Sequence, residues 1–274
     1  MPESGNTPVK PPTKEEGLDT RETRDHAREI KFQCPVGIAP ALRDWARANL
    51  QADAHGTGPF GDQYATTSLY FETQEFDVYH RHKSYGRSKY RIRQYNGASI
   101  IFLERKFRTE RLLAKRRTTV PFAEMQRLAE DHPDRNWRGF WFHRRILLRR
   151  LRPLVQMSYD RTARVTMVET GPLRMTIDVN LRVLPMPDRG FIPGTGFPIF
   201  EENCIVEVKY RREVPALIKR LVAEFQLQPA HVSKYRMGLG ALDYAPKKKT
   251  ADVAAGSTSP AQPAPNTSAG QRQT

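Results

Sequence analysis

The chain has 274 residues, of which 38% are hydrophobic, and carries 45 lysines and arginines against 30 acids, for a formal net charge of +15 and a pI near 10.0. That length suits one sizeable domain with tails, and the absence of any run of roughly 18 apolar residues excludes a membrane-spanning helix from the expectation. Only Cys34 and Cys204 occur, so no disulfide framework is implied, no zinc spacing is present, and a reduced, cytoplasmic protein is expected.

In chain order, residues 1–24 are polar, contain Pro2, Pro8, Pro11 and Pro12, and read as a disordered segment with no apolar leader of the secretory type. The folded domain is expected over 25–244. Its first segment, 28–33, alternates polar and apolar residues, the period of a strand. Residues 38–52 form an amphipathic helix carrying Trp45. Strand alternation returns over 64–72, 87–95, 99–107 and 112–120, the last two separated by a polar turn at 108–111. A helix over 121–130 opens on Pro121, a good first-turn residue. Residues 140–151 mix apolar residues with arginines in a further helix. Strands are expected over 154–159, 164–169, 173–179 and 204–210. A helix over 214–227 spaces Leu217, Ile218, Leu221, Val222 and Phe225 at helical period. Residues 245–274 follow with Ala, Ser, Thr, Pro and Gln around Lys247-Lys248-Lys249, and read as a flexible tail. Many strands joined by short turns give an α+β class, an antiparallel β-barrel or tunnel with helices packed outside.

The charges fall in a pattern. Successive strand residues point to opposite faces, so Lys89, Arg91 and Arg93 share one face against Tyr90 and Ile92. Glu104 and Lys106 share a face. Arg174, Thr176 and Asp178 lie opposite Leu173, Met175 and Ile177. Glu207 and Lys209 alternate with Val206 and Val208, and Lys31 sits between Ile30 and Phe32. One such strand is an ordinary half-exposed sheet. Five of them, rich in Arg, Lys and Glu, suit a closed barrel with a cationic lumen. Arginine offers a fork to phosphate oxygens and lysine a point charge. The few acids suit Mg²⁺ or Mn²⁺ bound to a triphosphate.

Eight segments in order carry a resemblance: Arg28-Glu29-Ile30-Lys31-Phe32, Thr67 to Thr73, Lys89 to Tyr95, Phe102-Leu103-Glu104-Arg105-Lys106, Tyr159 to Ala163, Arg174 to Asp178, Ile205 to Lys209 and Val232-Ser233-Lys234-Tyr235. Over about 27–240 the chain resembles the catalytic domain of the vacuolar transporter chaperone (VTC) family of polyphosphate polymerases, in the triphosphate tunnel metalloenzyme superfamily. The resemblance implies a metal-dependent ATP–polyphosphate phosphotransferase whose substrates are ATP and inorganic polyphosphate. It implies that Lys31, Arg91, Arg93, Lys106, Arg161, Arg174 and Lys234 bind nucleotide phosphates and the growing chain, that Ser233 contacts phosphate, and that Glu207 helps bind Mn²⁺ (or Mg²⁺). Glu104 and Asp178 match acidic positions and are further metal candidates. Lys89 joins the phosphate-facing set through its place beside Arg91. Alternatives stay open: Arg161 pairing with Asp160 or Asp178, Asp178 orienting arginines, and Lys234 capping a short C-terminal helix.

Two departures stand out. The regulatory SPX domain and the membrane helices of the family's eukaryotic members are absent from this sequence. The superfamily's small triphosphatases open on Glu-x-Glu-x-Lys, whereas here His26-Ala27-Arg28-Glu29-Ile30-Lys31 lacks one acid. The rival readings are a tripolyphosphatase or nucleoside triphosphatase, and a non-catalytic polyphosphate-binding module docked on a membrane partner protein. No nucleic-acid-binding motif is recognisable. The basic segment 138–152 is the best candidate for an external partner surface, against the plainer reading of a solvated face.

Overall fold

The computed structural model describes residues 20–23, 28–82, 84–108, 113–185, 190–192 and 196–244. The expected C-terminal tail, most of the 108–111 turn and the first 19 residues lie outside the described residues.

In chain order the elements are β1 (Thr20–Thr23), β2 (Arg28–Pro35), α1 (Ala39–Asn49), β3 (Gln51–Ala52), β4 (Gln63–Glu72), α2 (Asp77–His80), β5 (Ser88–Tyr95), β6 (Ile100–Arg108), β7 (Leu113–Pro121), α3 (Phe140–Leu148), β8 (Arg152–Val168), β9 (Gly171–Pro185), β10 (Phe197–Pro198), β11 (Asn203–Tyr210), α4 (Ala216–Glu224) and α5 (Lys234–Ala241). All strand pairs are antiparallel. The sheet runs β1-β7-β6-β5-β4-β8-β9-β11-β2, with β10 beside β9 and β3 beside β8. Alternation sets its two faces. In β5 Tyr90 and Ile92 are fully buried outward, against α3 and its neighbours, which leaves Lys89, Arg91 and Arg93 on the other face. In β2 and β11, Phe32, Val206 and Val208 bury themselves under α1 and α4, and Glu29, Lys31, Glu207 and Lys209 turn the opposite way.

The sheet curls so that its polar face is concave. Lys106 on β6 reaches Glu29 on β2 at 3.2 Å although five strands lie between them in the ladder. The tunnel-type antiparallel fold expected from the sequence is therefore present. Backbone closure is not: among the described residues the ladder ends on β1 and β2 without hydrogen bonds joining them, and side chains bridge the two walls.

The short helix α5 packs on the concave face of β8 and β9, where Leu239 is buried. A Cβ on Gly238 would stand 2.5 Å from Met157 Sδ and 3.2 and 3.3 Å from Val155 and Val183 methyls, so a larger residue there would push these core side chains aside. The Tyr235 hydroxyl donates to Glu72 on β4, and Glu72 also accepts the backbone N–H groups of Val78 and Tyr79. These contacts fix Ser233 and Lys234, at the start of α5, inside the concave space.

Several expectations are corrected. Residues 154–159 and 164–168 belong to one 17-residue strand, β8, and Glu169 lies in the turn after it. Polar Asp160-Arg161-Thr162 reads as a break in sequence, but a register shift between Ser158 and Asp160 absorbs it and Arg161 is buried against a carboxylate. The 121–130 helix is a 3₁₀ helix over Phe122–Ala129, and the helix expected to 151 ends at Leu148. β1 pairs with β7 inside the segment expected to be disordered.

Candidate active site

The concave face is built from rows of directly opposed residues. Arg91, Glu104 and Arg117 lie opposite one another across β5, β6 and β7. Glu104 thus meets Arg91 Nε at 2.6 Å, Arg117 Nε at 2.9 Å and, from the next row, Lys115 Nζ at 2.7 Å. Burial opposes its charge, but the surrounding Arg91, Lys115 and Arg117 hold its carboxyl well below the ordinary range. The adjacent row places Lys89, Lys106 and Lys115 side by side. Like charges directly opposite one another on a sheet repel. Lys106 is relieved by Glu29 at 3.2 Å and Lys115 by Glu104. Among the described residues Lys89 has no carboxylate partner: its ammonium donates to Ser233 Oγ at 3.3 Å and faces the Tyr235 ring at 5.5 Å. Burial pushes it down to about 8.

Arg93 is a second cation without a carboxylate within ion-pair distance among the described residues. It is 5% exposed, and it donates to Ser68 Oγ at 3.1 Å and Tyr159 Oη at 3.0 Å. Across from it, Asp178 is fully buried and grips Arg161 through two hydrogen bonds of 2.6 and 2.8 Å, while Lys234 Nζ stands 2.6 Å from its second oxygen. Burial opposes the charge on Asp178, yet Arg161 and Lys234 hold its carboxyl below the usual range. Asp178 is thus paired with an arginine and a lysine. Arg174, on the same face of β9, donates to Asp53 Oδ2 and Tyr64 Oη, both at 2.9 Å.

The remaining acids are Glu29 and Glu207. Lys31 Nζ lies 3.2 Å from Glu29 and 3.4 Å from Glu207, and Lys209 contacts both carboxylates. Although burial works against it, Lys209, Lys106 and Lys31 hold Glu29 well below its ordinary range. The three acids expected as metal ligands, Glu207, Glu104 and Asp178, are not brought together. Glu104 and Asp178 are closed by cations, and among the described residues no cluster of three or more His, Cys, Asp or Glu side chains has metal-binding spacing. Glu29 and Glu207 are paired with lysines as well, but they lie on neighbouring strands and share Lys31 and Lys209, so two hard oxygen donors stand close together. Mg²⁺ and Mn²⁺ commonly take one or two carboxylates and complete their shell with phosphate oxygens and water, the kind of donor pair these two residues offer.

The structure therefore gathers Lys31, Lys89, Arg91, Arg93, Lys106, Arg161, Glu207, Ser233 and Lys234 around one concave space, with Arg174 toward its side. Sequence reasoning passed over Glu29, Lys115, Arg117 and the tyrosines Tyr70, Tyr95 and Tyr159. Period-two alternation carries the signal for the first three. The tyrosines look like core residues until their hydroxyls are seen on arginines. Tyr70 and Tyr95 are both held down at about 8: burial raises each, but Arg91 and Arg93 beside Tyr70, and Arg93 and Arg117 beside Tyr95, outweigh it.

A pH dependence follows. As pH rises through about 8, Lys89 loses a positive charge while Tyr70 and Tyr95 gain negative ones. All three changes repel a phosphate ligand. The apparent KM for a polyphosphate or triphosphate is expected to climb above pH 8. Lys89→Arg should leave a smaller climb, and adding Tyr70→Phe and Tyr95→Phe should flatten it. An unchanged slope in the triple variant would show that these groups do not face the ligand.

The fold and this polycationic concave face define a tunnel-type antiparallel protein built to hold a polyanion. A family profile described as the VTC domain matches residues 26–242, and the chain belongs to that family. No curated protein matches. Among solved structures, a Bacillus halodurans protein described as a candidate adenylate cyclase is similar at a TM-score of 0.45 and 15% identity, covering 76% of this chain and 95% of that one. A Pyrococcus horikoshii protein gives 0.43 and 10%, over 78% and 99%. A Hippeastrum protein described as a candidate adenylyl cyclase with a dominant triphosphatase activity gives 0.40 and 13%, over 78% and 95%. Likeness this loose carries no statement about the chemistry of this chain.

Proposed function

We propose that this protein is a metal-dependent polyphosphate polymerase, transferring the γ-phosphoryl group of ATP to the terminal oxygen of a polyphosphate chain and releasing ADP. Membership of the VTC family supports a polyphosphate or triphosphate substrate. The observation that carries the reading is the unmet positive charge of the concave face: among the described residues Lys89, opposed by Lys106, meets only the Ser233 hydroxyl and the Tyr235 ring, and buried Arg93 hydrogen-bonds only to hydroxyls. A row of phosphates supplies the anions these groups lack.

Glu29, Glu104 and Asp178 are all held below the ordinary carboxylate range, which makes these three weak bases for activating water. A polyphosphate terminus is already ionised and needs no base. Its oxygen attacks the γ-phosphorus, the bond to the β–γ bridging oxygen breaks, and that oxygen leaves with the electron pair on ADP. Positioning and charge neutralisation carry such a step. Lys89, Arg91, Lys106 and Lys115 hold the triphosphate on one wall, and Arg93 and Lys234 approach from β5 and α5. A divalent cation held by Glu29 and Glu207 would neutralise phosphate oxygens and lessen repulsion between the two anions.

The deciding experiment incubates the pure protein with ATP and Mn²⁺ and resolves the products on a gel. A ladder of long polyphosphate with ADP is expected. Orthophosphate as the only phosphate product would make it a hydrolase, and tight polyphosphate binding without turnover would make it a binding module. Glu29→Gln and Glu207→Gln, which keep shape and lose charge, are each expected to lower metal-dependent turnover about tenfold or more. Unaltered Mn²⁺ dependence in both would remove these two residues as ligands.

A further inference from the structure

We infer that α3 and the segment just after it form a docking surface for an anionic phospholipid membrane. Between Asp134 and Asp160 the sequence has no acid and seven arginines: Arg135, Arg138, Arg144, Arg145, Arg149, Arg150 and Arg152. Six are exposed, and Arg149 is partly covered. Among the described residues none of the seven has a carboxylate within ion-pair distance, while nearby Asp134 is taken by Arg127 at 3.1 Å. The inner side of α3 is spent on the core, where Phe142 packs edge-on against Phe71 and Tyr90 and Ile146 is buried. The outer side carries Arg144, Arg145 and Leu148, and Leu148 is 65% exposed. Arg149 lies over the Tyr85 ring at 4.8 Å.

A basic residue or two at a helix C-terminus is ordinary, because it meets the negative end of the helix dipole. Arg144 and Arg145 beside the exposed Leu148, followed at once by Arg149 and Arg150, none of the four with a carboxylate within ion-pair distance among the described residues, go beyond that. Arginine is the side chain that grips phosphate with a fork, and each one near an anionic leaflet adds to binding. The leucine selects the source of the phosphate. A soluble polyanion gains nothing from it, whereas a bilayer interface shelters it from water. The surface is on the outer side of the sheet, so it is separate from the concave face and stands whether or not that face is catalytic.

The test sediments the full chain with vesicles of phosphatidylcholine alone and of phosphatidylcholine mixed with phosphatidylserine, with thermal melting to show that each variant is folded. The chain is expected to bind the mixed vesicles only, and less as salt rises. The double variant R144E/R145E should bind about tenfold or more weakly, and Leu148→Ala about threefold or more weakly. Absence of binding to the mixed vesicles at low ionic strength overturns the inference. So does undiminished binding by Leu148→Ala together with capture of long-chain polyphosphate or RNA through the same arginines, which would make this a surface for a soluble polyanion.

Discussion

Arg93→Ala is expected to lower ATP-dependent turnover about a hundredfold or more, while Arg138→Ala leaves it within about twofold. Both substitutions remove one guanidinium, and the difference is place. Arg93 is buried on the concave face, pinned by Ser68 and Tyr159 and free of any carboxylate within reach among the described residues. A donor held in that way costs no reorganisation when charge develops on a transferring phosphoryl group. Arg138 is exposed, where water and salt screen it. The loss at Arg93 should fall mainly on kcat, since a contact that tightens as the phosphoryl group moves is not felt equally by the ground state. Arg93→Lys should recover only part of it, because a single ammonium cannot reach Ser68, Tyr159 and a phosphate as a planar fork does. Equal and mild losses at positions 93 and 138 would mean that charge acts diffusely, and the binding-module reading would replace the catalytic one.

Asp178→Ala is expected to destabilise the fold by about 3–5 kcal/mol, a drop of about 10 °C or so in melting temperature for a domain of this size. The carboxylate is fully buried and serves Arg161 and Lys234 together. Its removal leaves two cations in a confined space without their counter-charge. The pH dependence has a definite sign. The folded-state pKa of Asp178 lies below its unfolded value, so its stabilisation is present above the unfolded pKa, near 3.9, and is lost as pH falls toward the folded one. Urea denaturation of the wild type should therefore show stability falling below about pH 4, with a shallower fall in Asp178→Asn. A change in metal activation with little change in stability would make Asp178 a ligand and not a positioning residue.

The sequence showed which face of each strand a charge would take. Period-two alternation in β5 and β11 places Lys89, Arg91, Arg93, Glu207 and Lys209 correctly, because strand geometry is local. The apolar stripes of α1 and α4 were legible for the same reason. Register was not legible. Arg91, Glu104 and Arg117 come from three strands, and nothing in any one of them says that they stand opposite one another. The grouping of the acids was not legible either. Three lumen acids look equivalent in sequence, yet Glu104 and Asp178 are each surrounded by cations from other strands, and Glu29 is the residue that neighbours Glu207 through Lys31 and Lys209. The single strand β8 was hidden because a polar stretch looks like a turn until a partner carboxylate on β9 buries its arginine.

By itself, then, the sequence determined an antiparallel α+β fold, a strongly basic interior and the identity of most residues on it, since charge, alternation and turn chemistry are properties of short segments. Only the tertiary structure decided which of those charges are neutralised and which are left unmet. That depends on pairs such as Lys106 with Glu29, 77 residues apart, and Lys89 with Ser233, 144 residues apart. Coulomb interaction and desolvation act over a few ångströms in space and take no account of separation along the chain.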